Sequence, residues 1–265
     1  MAKVAKDGSE AGRQEALYVR SLEKGFRVLS AFDAGRPTMS LTQLAAAADL
    51  DKSAAQRFAH TLERLGYLSK DPETRRYALT TRTLDLGYHY TRSNPLLQRA
   101  LPYLQHLSQE ADEAVSLSVL DDTEVVYVLR FMSRHMLSTN VIVGTRLPAY
   151  CSSPGLAILA RMPAEEARAI LERSDRRPLT PATTWQMPAL LEKLKLTARR
   201  GYAHAFEEIF PGDISFAAAV TDAKGAPIAA VSISVSKLRC SVEDAEQRFA
   251  PLVVSAAQAM SIGER

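Results

Sequence analysis

Cysteine and tryptophan are scarce: Cys151, Cys240 and Trp185 are the only such residues in a chain of 265. Two cysteines make neither a disulfide framework nor a cysteine-rich zinc site. No apolar run approaches the roughly 20 residues of a membrane-spanning helix, which argues against a membrane partner. The polar stretch from Met1 to Gln14 lacks the apolar centre of a signal peptide. There is no His-Glu-x-x-His, no glycine-rich phosphate loop and no Gly-x-Ser-x-Gly. The histidines at 60, 89, 106, 135 and 204 are too scattered to read as a metal site. The expectation is a soluble protein of a reducing cytoplasm that binds rather than catalyses, with no cofactor and no metal. Cys151 beside Ser152-Ser153 sits near an expected helix start, where a thiol pKa falls, with His135 or His204 as a base. No spacing marks such a triad, and a buried cysteine more often acts as a small hydrophobe.

What is present is an ordinary globular mixture, 46% hydrophobic and 24% charged, which excludes a disordered or fibrous chain. The length suits one large domain or two smaller ones. The overall net charge of +3 is unevenly placed. Residues 1–92 carry 15 basic and 11 acidic side chains, whereas residues 93–265 carry 18 and 19. The positive excess therefore lies in the first third, as in a polyanion-binding module joined to something else.

Residues 1–16 read as a disordered arm. From Leu17 a helical period appears, with Leu22, Phe26 and Leu29 on one stripe, ended by Gly35-Arg36-Pro37. Ser40 is an N-cap for a helix over Leu41–Ala48. Asp49-Leu50-Asp51 is a break, and a further helix runs from near Ser53 to about Leu65, stopped by Gly66. Leu44, Ala45, Leu50, Phe58, Leu62 and Leu65 form a shared core for this helix pair, and small Ala45 and Ala48 permit a close crossing. Two β-like pieces, Tyr67–Ser69 and Tyr77–Leu79, flank the turn Asp71-Pro72-Glu73-Thr74. A helix from Thr81 to Arg92 is broken at Ser93-Asn94-Pro95.

Helix, break, helix and hairpin in this order predict a winged helix-turn-helix over residues 17–80 and a linker helix over 81–93. Lys52, Ser53, Gln56, Arg57 and His60 fall on the outer face of the second helix. Arginine reads guanine bidentately and glutamine reads adenine, while Lys and Ser position phosphates. Lys70, Arg75 and Arg76 lie near the hairpin turn, where a wing would touch the backbone of double-stranded DNA. Seven basic residues against three acidic ones between Lys52 and Arg82 support this placement.

Residues 94–265 read as a second domain of class α+β. A helix over Leu96–Ala111 is followed by strand-like runs at Val115–Leu120, Val125–Phe131 and Met136–Val143. Helices near 154–162, 164–173 and 187–200 precede strands at Tyr202–Phe206, Ser215–Thr221 and Pro227–Val235. A final helix covers Val242–Ile262. Pro154 is pre-set for a first helical position with Ser152 or Ser153 as cap, and a helix start attracts carboxylates. Arg134, His135 and Arg146 are candidates to meet such a carboxylate, although Arg146 could equally pair with a structural Asp or Glu. Ser232, Ser234 and Ser236 share one strand face, which could point inward or to solvent.

Tyr18-Val-Arg-Ser-Leu-Glu-Lys-Gly-Phe-Arg-Val-Leu, Leu41-Thr-Gln-Leu-Ala and Lys52-Ser-Ala-Ala-Gln-Arg resemble the IclR family of bacterial transcriptional regulators. Val143-Gly-Thr-Arg-Leu-Pro-Ala-Tyr-Cys-Ser-Ser and Ser116-Leu-Ser-Val-Leu are similar to its branch controlling aromatic-acid breakdown through the β-ketoadipate pathway. That branch usually continues Met-Gly-Arg where this chain has Pro154-Gly155-Leu156. The resemblance spans about residues 17 to 262. It implies a GAF-like effector domain and homodimers that pair into tetramers on operator DNA. It also implies effector contacts at Met136, Thr139, Leu147, Ser153, Pro154, Ala205, Ser215, Ser232 and Ser234, with Tyr150 and Cys151 in the same motif. The expected function is a ligand-responsive regulator of aromatic catabolic genes that senses a small carboxylic acid. The rival is a metabolite-binding protein or enzyme whose winged helix mediates protein contacts only.

Overall fold

The computed structural model describes residues 17–135 and 141–261. The arm expected over residues 1–16 and most of the strand expected over 136–143 lie outside them. Within these limits the chain divides into two compact units between Tyr90 and Thr91.

The first unit opens with helix α1 (Arg20–Leu29). Its buried side chain is Val28, whereas Leu22 and Phe26 are exposed, so the expected stripe faces outward. The helix also ends earlier than Gly35-Arg36-Pro37, capped at Ser30. Helix α2 (Leu41–Ala47) starts with a capping box in which Ser40 and Gln43 exchange side-chain and backbone bonds. Asp49 then takes a left-handed φ of 50°, and Asp51 caps α3 (Lys52–Arg64) by accepting from the Ala54 N–H at 2.8 Å. The cap is thus Asp51, and Ser53 lies inside the helix. Ala55, Ala59 and Leu62 of α3 are buried against Leu44, Met39 and Val28, while Leu65, expected in this core, is exposed. Strands β1 (Leu68–Lys70) and β2 (Tyr77–Leu79) form an antiparallel wing. Tyr77 also exchanges both backbone bonds with Met39 at 2.8 and 3.0 Å, which ties the wing to the helices. After a single 3-10 turn, α4 (Leu84–Ser93) follows, with no buried residue.

The second unit is one six-stranded antiparallel sheet with helices on both faces. Helix α5 (Pro95–Ala111) leads into β3 (Ala114–Asp121) and β4 (Glu124–Phe131). A short strand β5 (Arg146–Pro148), where no strand was expected, pairs with β4. Helices α6 (Ser153–Leu159), α7 (Ala164–Arg173) and α8 (Met187–Arg200) follow. Strands β6 (Ala203–Phe206), β7 (Asp213–Thr221) and β8 (Pro227–Ser236) precede α9 (Val242–Met260). The spatial order is β5-β4-β3-β8-β7-β6. One sheet face carries Val115, Leu117, Phe216, Val231 and Ile233 and packs on α5 and α9 through Leu104, Phe249 and Val253. The other face carries small residues, Ala203, Ala217 and Ala230, and is covered by α6 and α8. Alternation along each strand makes these two faces, one bulky and one small.

Candidate functional site

The face of α3 opposite its buried alanines presents Lys52, Ser53, Gln56, Arg57 and His60, all exposed. Buried positions at Ala55, Ala59 and Leu62 fall on one stripe of the 3.6-residue period, which leaves these five on the complementary arc. No described residue pairs with the Lys52 or Arg57 side chains. The wing turn is built by Asp71, whose carboxylate accepts from the N–H groups of Glu73 at 3.0 Å and Thr74 at 2.6 Å. These bonds hold its carboxyl below the usual carboxylate range. They also leave Arg75, at φ 58°, exposed at the tip. Arg76 differs from the expectation: its guanidinium donates to the Thr38 hydroxyl at 2.9 Å and to the Thr38 carbonyl at 2.7 Å. It therefore fastens the wing to the helical body. The Lys70 ammonium lies over the Tyr77 ring at 5.0 Å and is half-buried.

In the second unit a narrow crevice with about 410 Å³ of empty space opens between the small-residue sheet face and the start of α6. Ser152 caps α6 and accepts from the Gly155 N–H at 3.3 Å. Gly155 lies so close to the preceding turn that a Cβ on it would fall 2.3 Å from the Ala149 carbonyl oxygen. Leu156, which stands at the departure from the resembling branch, is fully buried in the α6 core.

Of the sequence candidates, Leu147, Cys151, Ser153, Pro154, Ala205, Ser215 and Ser234 line the crevice. The Ser153 hydroxyl is buried without a hydrogen-bond partner among the described residues. Ser232 is buried on the same strand face as Ser234 but does not reach the crevice wall. The expectation that the serines face inward holds for Ser232 and Ser234. Burial pushes the Cys151 thiol up to about 12, so it stays protonated and is no nucleophile.

Four candidates lie elsewhere. Arg134 and His135 grip the Asp112 carboxylate at 2.9 and 3.0 Å, at the left-handed cap of α5. Their hydrogen bonds pull Asp112 down to about 2. Arg146 is exposed on β5 and ion-paired with Asp121 and, at 2.8 Å, with Glu124. Tyr150 is buried and donates to the Arg177 carbonyl at 2.7 Å, a structural bond. Met136 and Thr139 lie outside the described residues.

Sequence reasoning missed the charged lining, namely Arg130, Glu208 and Asp213, together with Tyr127. Arg130 lies in an apolar run and is two residues out of step with the expected alternation. Its guanidinium donates to the Ser116 hydroxyl at 2.8 Å and lies over the Tyr127 ring at 5.9 Å. Burial lowers its pKa. Glu208 is 5% exposed, paired with Lys193 of α8, and accepts from the Thr184 N–H at 3.0 Å. Asp213, the first residue of β7, carries a carboxyl that burial pushes up to about 7, with Arg130 pulling the other way. The loop Glu207–Asp213 stood out in the sequence only as polar. The charged residue inside each otherwise apolar or small strand run was the available signal.

An outward helix with a wing, joined to a sheet whose recess is lined by an arginine and unpaired hydroxyls, defines a ligand-responsive DNA-binding regulator. The IclR helix-turn-helix domain model matches residues 21–72, and the model of the bacterial transcriptional regulator IclR C-terminal domain matches residues 88–262. The chain belongs to the IclR family and is a transcriptional regulator, not an enzyme. It is 31% identical over 242 residues to the Pca regulon regulatory protein of Pseudomonas putida, covering 91% of this chain and 82% of that one. A crystal structure of a transcriptional regulator from Rhodococcus sp. RHA1 superposes with a TM-score of 0.81 at 36% identity, covering 92% and 97% of the two chains. An IclR homologue from Microbacterium hydrocarbonoxydans, crystallised with 4-hydroxybenzoate, superposes with a TM-score of 0.75 at 27% identity, covering 91% and 97%.

Proposed function

We propose that the protein senses a small aromatic or dicarboxylic acid and controls genes for aromatic-compound breakdown in the cytoplasm. The observation that carries this reading is the Arg130 guanidinium in the recess beside the unpartnered Ser153 hydroxyl. A guanidinium recognises a planar carboxylate bidentately, and the small sheet face leaves room for a ring. Likeness to a Pca regulon regulator and to a homologue holding 4-hydroxybenzoate supports the acid class. Residues 17–80 are the DNA-binding unit, 81–93 the linker helix and 94–265 the effector unit. Lys52, Ser53, Gln56, Arg57 and His60 enter the major groove, with Arg75 on phosphate. The exposed apolar residues Leu22 and Phe26 of α1 and Leu84, Leu86 and Tyr88 of α4 are surface that a second copy would cover. A homodimer, and pairs of such dimers, would match a palindromic operator. The acid shifts the two DNA-binding units only if it binds one of their arrangements more tightly than the other. A salt-dependent gel shift on DNA flanking the gene, repeated with and without a panel of aromatic and dicarboxylic acids, tests this. No retardation at any site, or no response to any acid, overturns it.

A further inference from the structure

Asp213 is unusual among the carboxylates of the second unit. Asp112, Asp121, Glu124, Glu208 and Glu246 each hold a cationic or hydroxyl partner. No described residue donates a hydrogen bond to the Asp213 side chain. It is nevertheless withdrawn from water in the crevice wall, and burial holds its carboxyl up to about 7. A desolvated acceptor without a donor is costly and is retained where a donor arrives from outside. Its surroundings narrow what that donor is. Ser215 and Ser234, its neighbours on the same sheet face, line the wall, but the Ser215 hydroxyl is turned to the Ala205 carbonyl at 3.3 Å. Cys151 faces the crevice as a neutral thiol, and the Glu208 charge is spent on Lys193. The other charge is Arg130, on β4. Strands β3 and β8 lie between β4 and β7, so the cation and the carboxylate enter the crevice from opposite sides.

Resting on the reading that this crevice takes a carboxylic acid, we propose that Asp213 is its specificity-determining acceptor. It receives a hydrogen bond from a hydroxyl that the acid carries on the end away from its carboxylate, while Arg130 pairs with that carboxylate. The ligand class is a hydroxylated carboxylic acid, with a rigid ring between its two groups fitting the opposed placement. A site built around a buried acceptor selects strongly, because a ligand without the donor leaves that acceptor unpaired.

The test is calorimetric titration of the full-length protein with 4-hydroxybenzoate and with benzoate, for the wild type and the Asp213→Ala, Asp213→Asn and Arg130→Met variants. A charge-assisted hydrogen bond predicts that the wild type prefers 4-hydroxybenzoate by roughly 10- to 100-fold. Asp213→Ala brings this ratio close to one with benzoate affinity held or improved. Arg130→Met weakens both acids in parallel and leaves their ratio in place. Asp213→Asn keeps an acceptor without the charge and gives an intermediate ratio. Titration near pH 7 in two buffers of different ionisation enthalpy shows protons released on binding, because the donated hydrogen bond favours ionised Asp213. Equal wild-type affinity for the two acids, or an undiminished ratio in folded Asp213→Ala, overturns the assignment while leaving carboxylate sensing in place. Binding of neither acid by the folded wild type overturns the carboxylic-acid reading and this inference with it.

Discussion

Tyr127 and Arg130 face the same side of the sheet although they stand three positions apart on one strand. The reason is a β-bulge: Leu117 pairs with Leu129, but the next residue, Ser118, pairs with Tyr127. Val128 is the extra residue, and it turns to the α5–α9 core together with Val126 and Leu129. Beyond it the alternation reverses, so Arg130 lands opposite Ser116 on the crevice side. Bulges re-aim side chains in this way, and here the bulge converts a solitary cation in an apolar strand into a wall of the recess.

Arg57 projects from the exposed arc of α3. Arg57→Ala is expected to weaken operator binding by about 1–3 kcal/mol and to leave acid binding unchanged. Fluorescence anisotropy on an operator fragment at fixed salt, beside calorimetry with the acid, reads both. Parallel loss of the two would indicate misfolding instead.

Arg146 is held at the sheet edge by Asp121 and Glu124. Exposed ion pairs contribute at most about 1 kcal/mol. Arg146→Ala should therefore lower Tm only slightly and leave the acid-induced rise in Tm intact. A lost acid response would return Arg146 to the site.

Lys193 and Glu208 form a buried pair that anchors the crevice loop to α8. Lys193→Met strands the Glu208 charge and is expected to cost about 3–5 kcal/mol. Adding Glu208→Gln should recover most of that loss. Chemical denaturation of the two single variants and the double variant measures the coupling, and purely additive losses would refute it.

Two groups give stability opposite slopes with pH. Asp213 titrates near 7 when folded against 3.8 when free, so the folded state holds the extra proton and stability falls as pH rises from about 4 to about 7. His204 is driven down to about 4 from 6.5, first by burial and then by Arg200 and Lys193, with Glu246 opposing. The unfolded state then holds the extra proton, and stability falls as pH drops from about 6.5 to about 4. Melting curves of Asp213→Asn should exceed the wild type by several degrees at pH 7.5, with the gap closing toward pH 4. His204→Gln should gain on the wild type only below about pH 6. Differences that do not vary with pH would contradict both.

Much of this protein was legible in its sequence because the signals were local. Ser40 and Gln43 make a capping box wherever they precede a helix. The spacing of Ala55, Ala59 and Leu62 chooses the outward arc of α3 before any packing is known. The turn chemistry of Asp71 sets the wing. Seven effector-side candidates reach the crevice because strand alternation and the α6 start are local too.

Other features depended on contacts between distant parts of the chain. The α1 stripe looks like core by period, yet in the fold Val28 is buried and Leu22 is left outside. Arg76 looks like a DNA contact until Thr38, 38 residues away, captures it. Arg146 looks like a carboxylate ligand until Asp121 and Glu124 neutralise it. Arg130 enters the recess because of the inserted residue in β4, and Asp213 is stranded there because the fold desolvates it without supplying a donor. Periodicity and capping act over one or two turns of chain, so composition and spacing alone determine them. Register, ion pairing and desolvation are decided by which distant residues arrive alongside, and only the tertiary structure settles those.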